Sequence, residues 1–287
     1  VTTFLGGPGG PGGARLHVDS ATIGYGKRLI CEDLSVAIPD RSFTVIVGPN
    51  ACGKSTLLRG LARLLKPGAG QVVLDGADIS SFKSKEVARR VGLLPQTSIA
   101  PDGITVAELV ARGRYPHQGF GRQWTETDEQ AVLRAMNHTA VSALSGRLVD
   151  ELSGGQRQRV WVAMALAQHT DILLLDEPTT FLDIAHQIEL MELFTDLHHA
   201  GHTLVAVLHD LNHAARYGTH LIAMKDGQVV AEGTPDQVVT ADLVEEVFGL
   251  PCLVVPDPVA GTPQVVPLGR DRTRQRSTDY AREESRT

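Results

Sequence analysis

The stretch Phe43–Leu61, FTVIVGPNACGKSTLLRGL, decides the fold. It opens as a short apolar run ending in glycine, the pattern of a strand buried on both faces. It then passes through GPNACGKS, Gly48 to Ser55, which has the spacing G-x-x-x-x-G-K-[ST]. From Lys54 the residues KSTLLRGLARLL repeat with helical spacing until Pro67, Gly68 and Gly70 stop them. Strand, glycine loop and helix are the context in which this motif cradles phosphates. Gly48 and Gly53 let the backbone turn so that its N–H groups face the phosphates, with Pro49, Asn50, Ala51 and Cys52 supplying the loop and Thr56 following it. Lys54 neutralises β- and γ-oxygens, and the Ser55 hydroxyl holds Mg²⁺. Cys52 is read as loop backbone, since such a loop works through amides and not through a thiol.

Working outward, ILLLDEP ends a second buried strand in two carboxylates. Asp176, at the strand end, can reach Mg²⁺ through water, and Glu177 points elsewhere, toward an attacking water. HTLVAVLHD is a third such strand and ends at His209. Strands that finish in polar groups and alternate with helices predict a parallel α/β sheet with its ligand at the carboxyl ends. Two regions depart from this rhythm. RLHVDSATIGYG and DLSVAIPDRSF read as antiparallel strands near the start, and Ile104 to Ser153 reads as short helices inserted into the core. PCLVVPDPVAGTPQVVPLG has two apolar runs about a Pro/Gly turn, a terminal hairpin. The expected organisation is a Gly/Pro-rich lead-in over 1–13, one nucleotide-binding domain over 14–268 with a helical insert at about 97–160, and a disordered charged tail over 269–287.

The bulk numbers agree with a soluble globular chain: 287 residues, 42% hydrophobic and 21% charged. A net charge of −6 argues against a nucleic-acid binder with a broad basic face. No apolar run reaches the roughly 18 residues that cross a bilayer, so any role at a membrane is played at its surface. Three scattered cysteines without a CxxC pair suit a reducing compartment and no structural zinc. His198, His199 and His202 in LHHAGH read as a solvated helix end in preference to a metal site.

VDELSGGQRQR contains a second phosphate-type element, a serine and two glycines at a helix start. The P-loop already serves the nucleotide held by its own chain. Ser153 and the amides of Gly154 and Gly155 therefore face a different nucleotide, which a two-fold pair of identical chains supplies.

With these motifs in order, the chain resembles the nucleotide-binding subunits of ABC transporters from about Leu16 to Leu268. The resemblance implies a P-loop NTPase core with a mixed sheet, an N-terminal antiparallel β subdomain and an inserted α-helical subdomain, hydrolysing ATP with Mg²⁺. It implies that LSGGQ, Leu152 to Gln156, closes over the ATP of the opposite copy. Tyr25 in IGYG would stack on adenine, though as a bare observation a tyrosine in a turn also suits packing. Gln96 in GLLPQ would link metal and water to the insert. Asp183 in TTFLD would be the D-loop aspartate and His209 the histidine that contacts the γ-phosphate.

GRYPHQGF, PTTFLDIAHQIELMELF and LHDLNHAARYGTHLIAMKDGQVVAEGTP resemble the subfamily that energises bacterial uptake of iron–siderophore complexes, with haem and cobalamin importers close by. This implies integral membrane permease subunits as partners on the cytoplasmic face, and indirectly a substrate-binding lipoprotein. Arg114, Tyr115 and His117 lie either at that contact or in an ordinary solvated loop. Ala51 stands where the family often has glycine and is tolerable if its φ is negative; Phe181 in TTFLD puts nothing catalytic in doubt. A soluble ABC ATPase of DNA repair or translation is the rival, but zinc inserts, coiled coils and basic arms do not appear in the sequence.

Overall fold

The computed structural model describes residues 14–96, 99–119, 124–180 and 182–269. The lead-in 1–13, Phe120, Phe181 and the tail from 270 onward lie outside the described residues. In chain order the elements are β1 (Leu16–Tyr25), β2 (Arg28–Ile38), β3 (Phe43–Val47), α1 (Lys54–Leu61), β4 (Ala69–Leu74), β5 (Ala77–Asp78), α2 (Ser84–Ala88) and β6 (Val91–Leu94). Then come α3 (Val106–Ala111), α4 (Glu126–His138), α5 (Gly154–Ala167), β7 (Ile172–Asp176), α6 (Ile184–His199) and β8 (Thr203–Val207). The chain continues through α7 (Leu211–Tyr217), β9 (His220–Lys225), β10 (Gln228–Gly233), α8 (Pro235–Val238), α9 (Ala241–Phe248), β11 (Cys252–Pro256) and β12 (Pro263–Pro267).

The central sheet has the order β10-β9-β3-β8-β7-β6. β3 pairs in parallel with both β8 and β9, β7 with β8 and β6, and only β10 returns antiparallel. Because side chains alternate across a strand, each buried strand feeds two cores. Phe43, Val45, Leu173, Leu175, Leu204 and Ala206 pack on one face with α5, α6 and the insert. Ile46, Ile172, Leu174, Val205 and Val207 pack on the other with α1 and the N-terminal strands. On the first face Phe43 meets Phe194 edge to face at 6.3 Å.

The N-terminal sheet, β2-β1-β4-β5, is antiparallel as expected for its first two strands. β4 and β5 had no counterpart in the sequence reading. α1 ends at Leu61 and does not run to Leu65, because Arg63 turns left-handed (φ 59°) and the amides of Leu64 and Leu65 fold back onto Arg59 O at 2.8 and 3.1 Å.

Between β6 and α5 the insert is helical. Its helices start on side-chain caps, Thr105 for α3 and Thr125 for α4, each reciprocated by the acid three residues on. The final hairpin, β11 with β12, is fastened to α7 by Asn212, whose Oδ1 accepts from Val265 N at 2.7 Å while its Nδ2 donates to Val265 O at 3.3 Å.

Candidate active site

β3 delivers the glycine loop to the edge of the central sheet. Gly48 has φ 151°, and a Cβ there would stand 2.2 Å from Met224 O on β9, so no other residue fits beside that strand. Lys54, 5% exposed, donates from Nζ to Gly48 O at 2.9 Å and Pro49 O at 2.8 Å. Two of its three N–H donors thus hold the loop in its curve. Ala51 has φ 62°, which corrects the expectation of a negative value: the loop needs a left-handed residue at this point, and alanine bears the Cβ strain. Burial pushes the Cys52 thiol above its ordinary pKa, with Lys54 pulling the other way.

The carboxyl ends of the neighbouring strands bring the acids to this loop. Ser55 Oγ donates to Asp176 Oδ1 at 2.9 Å, and the Arg59 guanidinium stands 3.7 Å from Oδ2. Burial raises the pKa of Asp176, with Ser55 and Arg59 pulling the other way. Glu177, next in sequence, adopts φ 52° and so leaves the strand direction. Its Oε2 accepts from Gln96 Nε2 at 2.6 Å and from Thr180 Oγ1 at 3.3 Å, and its Oε1 accepts from His209 Nε2 at 2.8 Å. Since a carboxylate only accepts, His209 carries its proton on Nε2. Gln96 and His209, both more than 30 positions from Glu177 in sequence, thus meet on its carboxylate.

A cavity of about 380 Å³ lies against these groups, walled by Tyr25, Arg28, the loop from Asn50 to Thr56, Glu177 and His209. Tyr25 is 45% exposed, and its hydroxyl accepts from Arg59 at 3.1 Å. An apolar ring open to the cavity suits a planar base better than core packing. A slightly larger hollow, about 440 Å³, opens between α4, α5 and α6, but neither the P-loop residues nor Asp176 and Glu177 line it.

The second phosphate-type element stands apart. Ser153 caps α5, accepting from Gln156 N at 3.3 Å while Gln156 Oε1 accepts from Ser153 N at 3.2 Å. Among the described residues, Ser153, Gly154, Gly155 and Gln156 do not line the nucleotide cavity, and neither does Asp183, which caps α6.

Two expectations for the surface change. Arg114 is 4% exposed: its Nε donates to Asp128 at 2.9 Å and its NH1 to Ala167 O at 2.9 Å, so it braces the insert from within and cannot reach a partner. Tyr115 is 65% exposed with Lys85 Nζ over its ring at 4.6 Å, and His117 Nε2 faces Gln168 O at 2.7 Å. His198, in the helix end read as solvated, is half-buried. Its Nδ1 is buried without a hydrogen bond, and burial, with help from His199, lowers its pKa. Sequence reasoning missed Arg28, Arg59 and Thr180. Arg28 had one available signal, its place directly across the hairpin from Tyr25.

Comparison with known proteins fits this geometry. The family model described as ABC transporter matches residues 31–180. The ferric enterobactin transport ATP-binding protein FepC of Escherichia coli is 58% identical over 258 residues, covering 90% of this chain and 95% of its own length. The Bacillus subtilis protein YusV, described as a siderophore transport system ATP-binding protein, is 50% identical over 262 residues, covering 91% and 95%. Among solved structures, the ATP-binding cassette MJ0796, a dimer in a post-hydrolysis state bound to ADP and phosphate, superposes with a TM-score of 0.67 at 28% identity, covering 76% of this chain and 98% of that one. The chain belongs to the ABC transporter family, as one of its ATP-binding, ATP-hydrolysing subunits.

Proposed function

We propose that this subunit powers bacterial uptake of an iron–siderophore complex, acting as a dimer bound to integral membrane permease subunits on the cytoplasmic face of the cell membrane, with a substrate-binding lipoprotein delivering the cargo. Residues 14–268 act as one ATP-binding unit in this reading. What carries the enzymatic part is the Glu177 carboxylate, held at the mouth of the P-loop cavity by Gln96 and His209 together. What supports the cargo is the set of relatives named for ferric enterobactin, achromobactin and petrobactin transport or import, at 58%, 48% and 46% identity.

Each residue then has a task. Tyr25 stacks on adenine. The loop Gly48–Thr56 wraps the phosphates with its amides, and Lys54 turns its ammonium from the loop carbonyls to the β- and γ-oxygens. Glu177 orients the attacking water, while His209 holds Glu177 and steadies the γ-phosphate. Ser153, Gly154, Gly155 and Gln156 of one copy close over the ATP of the other, with Asp183 at the same seam. The oxygens of Ser55 and Asp176, 2.9 Å apart, are hard donors that suit Mg²⁺, and Gln96, which holds the neighbouring Glu177, would be a third. Mg²⁺ held by these residues would supply neutralisation of the phosphate charge.

Closure is a two-state equilibrium biased by ATP, and hydrolysis releases it. The decisive experiment is reconstitution with its permease subunits, reading ligand-stimulated ATPase across iron chelates, haem and cobalamin. Stimulation by a ferric siderophore is expected; stimulation by haem or cobalamin alone would reassign the cargo. Glu177→Gln should retain ATP binding and lose turnover by orders of magnitude, accumulating an ATP-bound dimer on size exclusion. Near-normal turnover would remove Glu177 from its role.

A further inference from the structure

His186 stands at the third position of α6, inside the stretch PTTFLDIAHQIELMELF but with no role assigned to it from sequence. Its Nδ1 donates to Asp183 Oδ1 at 2.7 Å, and its backbone N–H donates to the same oxygen at 2.9 Å. The ring then stands against the start of α5. A Cβ built on Gly155 would stand 2.6 Å from His186 Cδ2 and 2.9 Å from Cγ, whereas one on Gly154 would meet nothing within 4 Å. Gly155 is therefore glycine for its own chain's sake, because the imidazole occupies that space. The two helix starts are tied at further points: Arg159 pairs with Glu189, and Gln158 Nε2 donates to Pro178 O at 2.9 Å.

We infer that His186 is a positioning residue that locks the LSGGQ turn, the signature turn, to the D-loop of the same copy, so that Gly155 and Asp183 reach the opposite copy as one rigid edge. The inference rests on the dimeric reading above. A free signature turn would have to be ordered at each closure, and a displacement of about 1 Å at such a contact can lower turnover on the order of 100-fold. The His186 hydrogen bond and its ring are separable: Phe keeps an aromatic face over Gly155 without the bond to Asp183, and Asn keeps a donor without the ring.

The test compares full-length His186→Ala, His186→Phe, His186→Asn, Gly155→Ala and Gly155→Ala/His186→Ala. Affinity for a fluorescent ATP analogue should stay within about twofold in every variant, because the P-loop is untouched, while kcat falls about tenfold or more in His186→Ala and Gly155→Ala. In a Glu177→Gln background both should need more ATP to dimerise. The double variant should regain part of the kcat lost in Gly155→Ala, since removing the ring makes room for the methyl. Wild-type kcat in His186→Ala or Gly155→Ala, or a double variant no better than Gly155→Ala, would overturn the inference. If the wild-type chain itself neither dimerises with ATP nor hydrolyses it, the dimeric reading fails first. His186→Phe and His186→Asn then divide the effect: one of them at or near wild type identifies the ring or the bond as the operative part, and both unimpaired overturns it.

Discussion

Replacing Arg114 by alanine should destabilise the protein severely, although a charged residue in a polar loop would ordinarily be dispensable. The guanidinium and its partner carboxylate are 5% and 8% exposed, so the pair is shielded from water. Removing one member leaves Asp128 buried and uncompensated, which costs about 3–5 kcal/mol. The second bond, from NH1 to Ala167 O at the end of α5, adds about 1 kcal/mol if that carbonyl stays dry. A loss of about 4–6 kcal/mol corresponds to a fall in Tm of about 10 °C or more for a chain of this size. The pair also carries a pH signature. Burial pushes the Asp128 carboxyl up, but the Thr125 hydroxyl and Arg114 outweigh it and hold it below the ordinary value. A depressed folded-state pKa contributes stability that is present above the unfolded value, near pH 4, and is lost as pH falls through the folded value. The gap between wild type and Arg114→Ala should therefore be full at neutral pH and narrow below about pH 4. Nucleotide-free thermal and urea melts across that range measure it, with Arg114→Met/Asp128→Leu as the companion, expected to recover most of the loss. A penalty below about 1 kcal/mol, the size of a solvated pair, would refute the brace.

Other outcomes can be checked on the same samples. Asp176→Asn should raise the nucleotide-free Tm, since burial already disfavours the charged acid, while abolishing Mg²⁺-dependent hydrolysis. Ala51→Gly should relieve the left-handed strain, worth about 1 kcal/mol before glycine's greater unfolded-state entropy is set against it, and thermal melting should show a Tm equal to or above wild type. Leu58→Ala, fully buried behind the P-loop in the core shared with the N-terminal strands, should cost about 2–5 kcal/mol in a urea titration. Lys54→Ala should lower nucleotide affinity, and calorimetry showing no change would unseat the P-loop assignment.

Features held in local pattern were legible before any coordinates. The strand–glycine–helix run at Phe43–Leu61 and the polar ends of β7 and β8 placed Lys54, Asp176, Glu177 and His209 on one sheet edge, because parallel strands deliver their carboxyl ends together. Nonlocal pairing was not legible. β4 is a short strand whose identity depends on β1, and AGQVVL carries too few alternations to announce it. Arg114 looked solvated because its burial is decided by Asp128 on another helix. The backbone of Ala51 and Glu177 is set by the loop and strand end around them, and side-chain identity says little about a positive φ outside glycine. His186 escaped notice because its partner Gly155 lies on a different helix and was already claimed by a motif.

Asn212 lies only a few residues past His209 and grips Val265 with both ends of its amide. The last hairpin is thus geared to the segment that carries the histidine, across more than fifty residues of intervening chain. A spectroscopic label on β12 sits at the far end of a short lever and registers tilting of α7 without intruding on the nucleotide chamber.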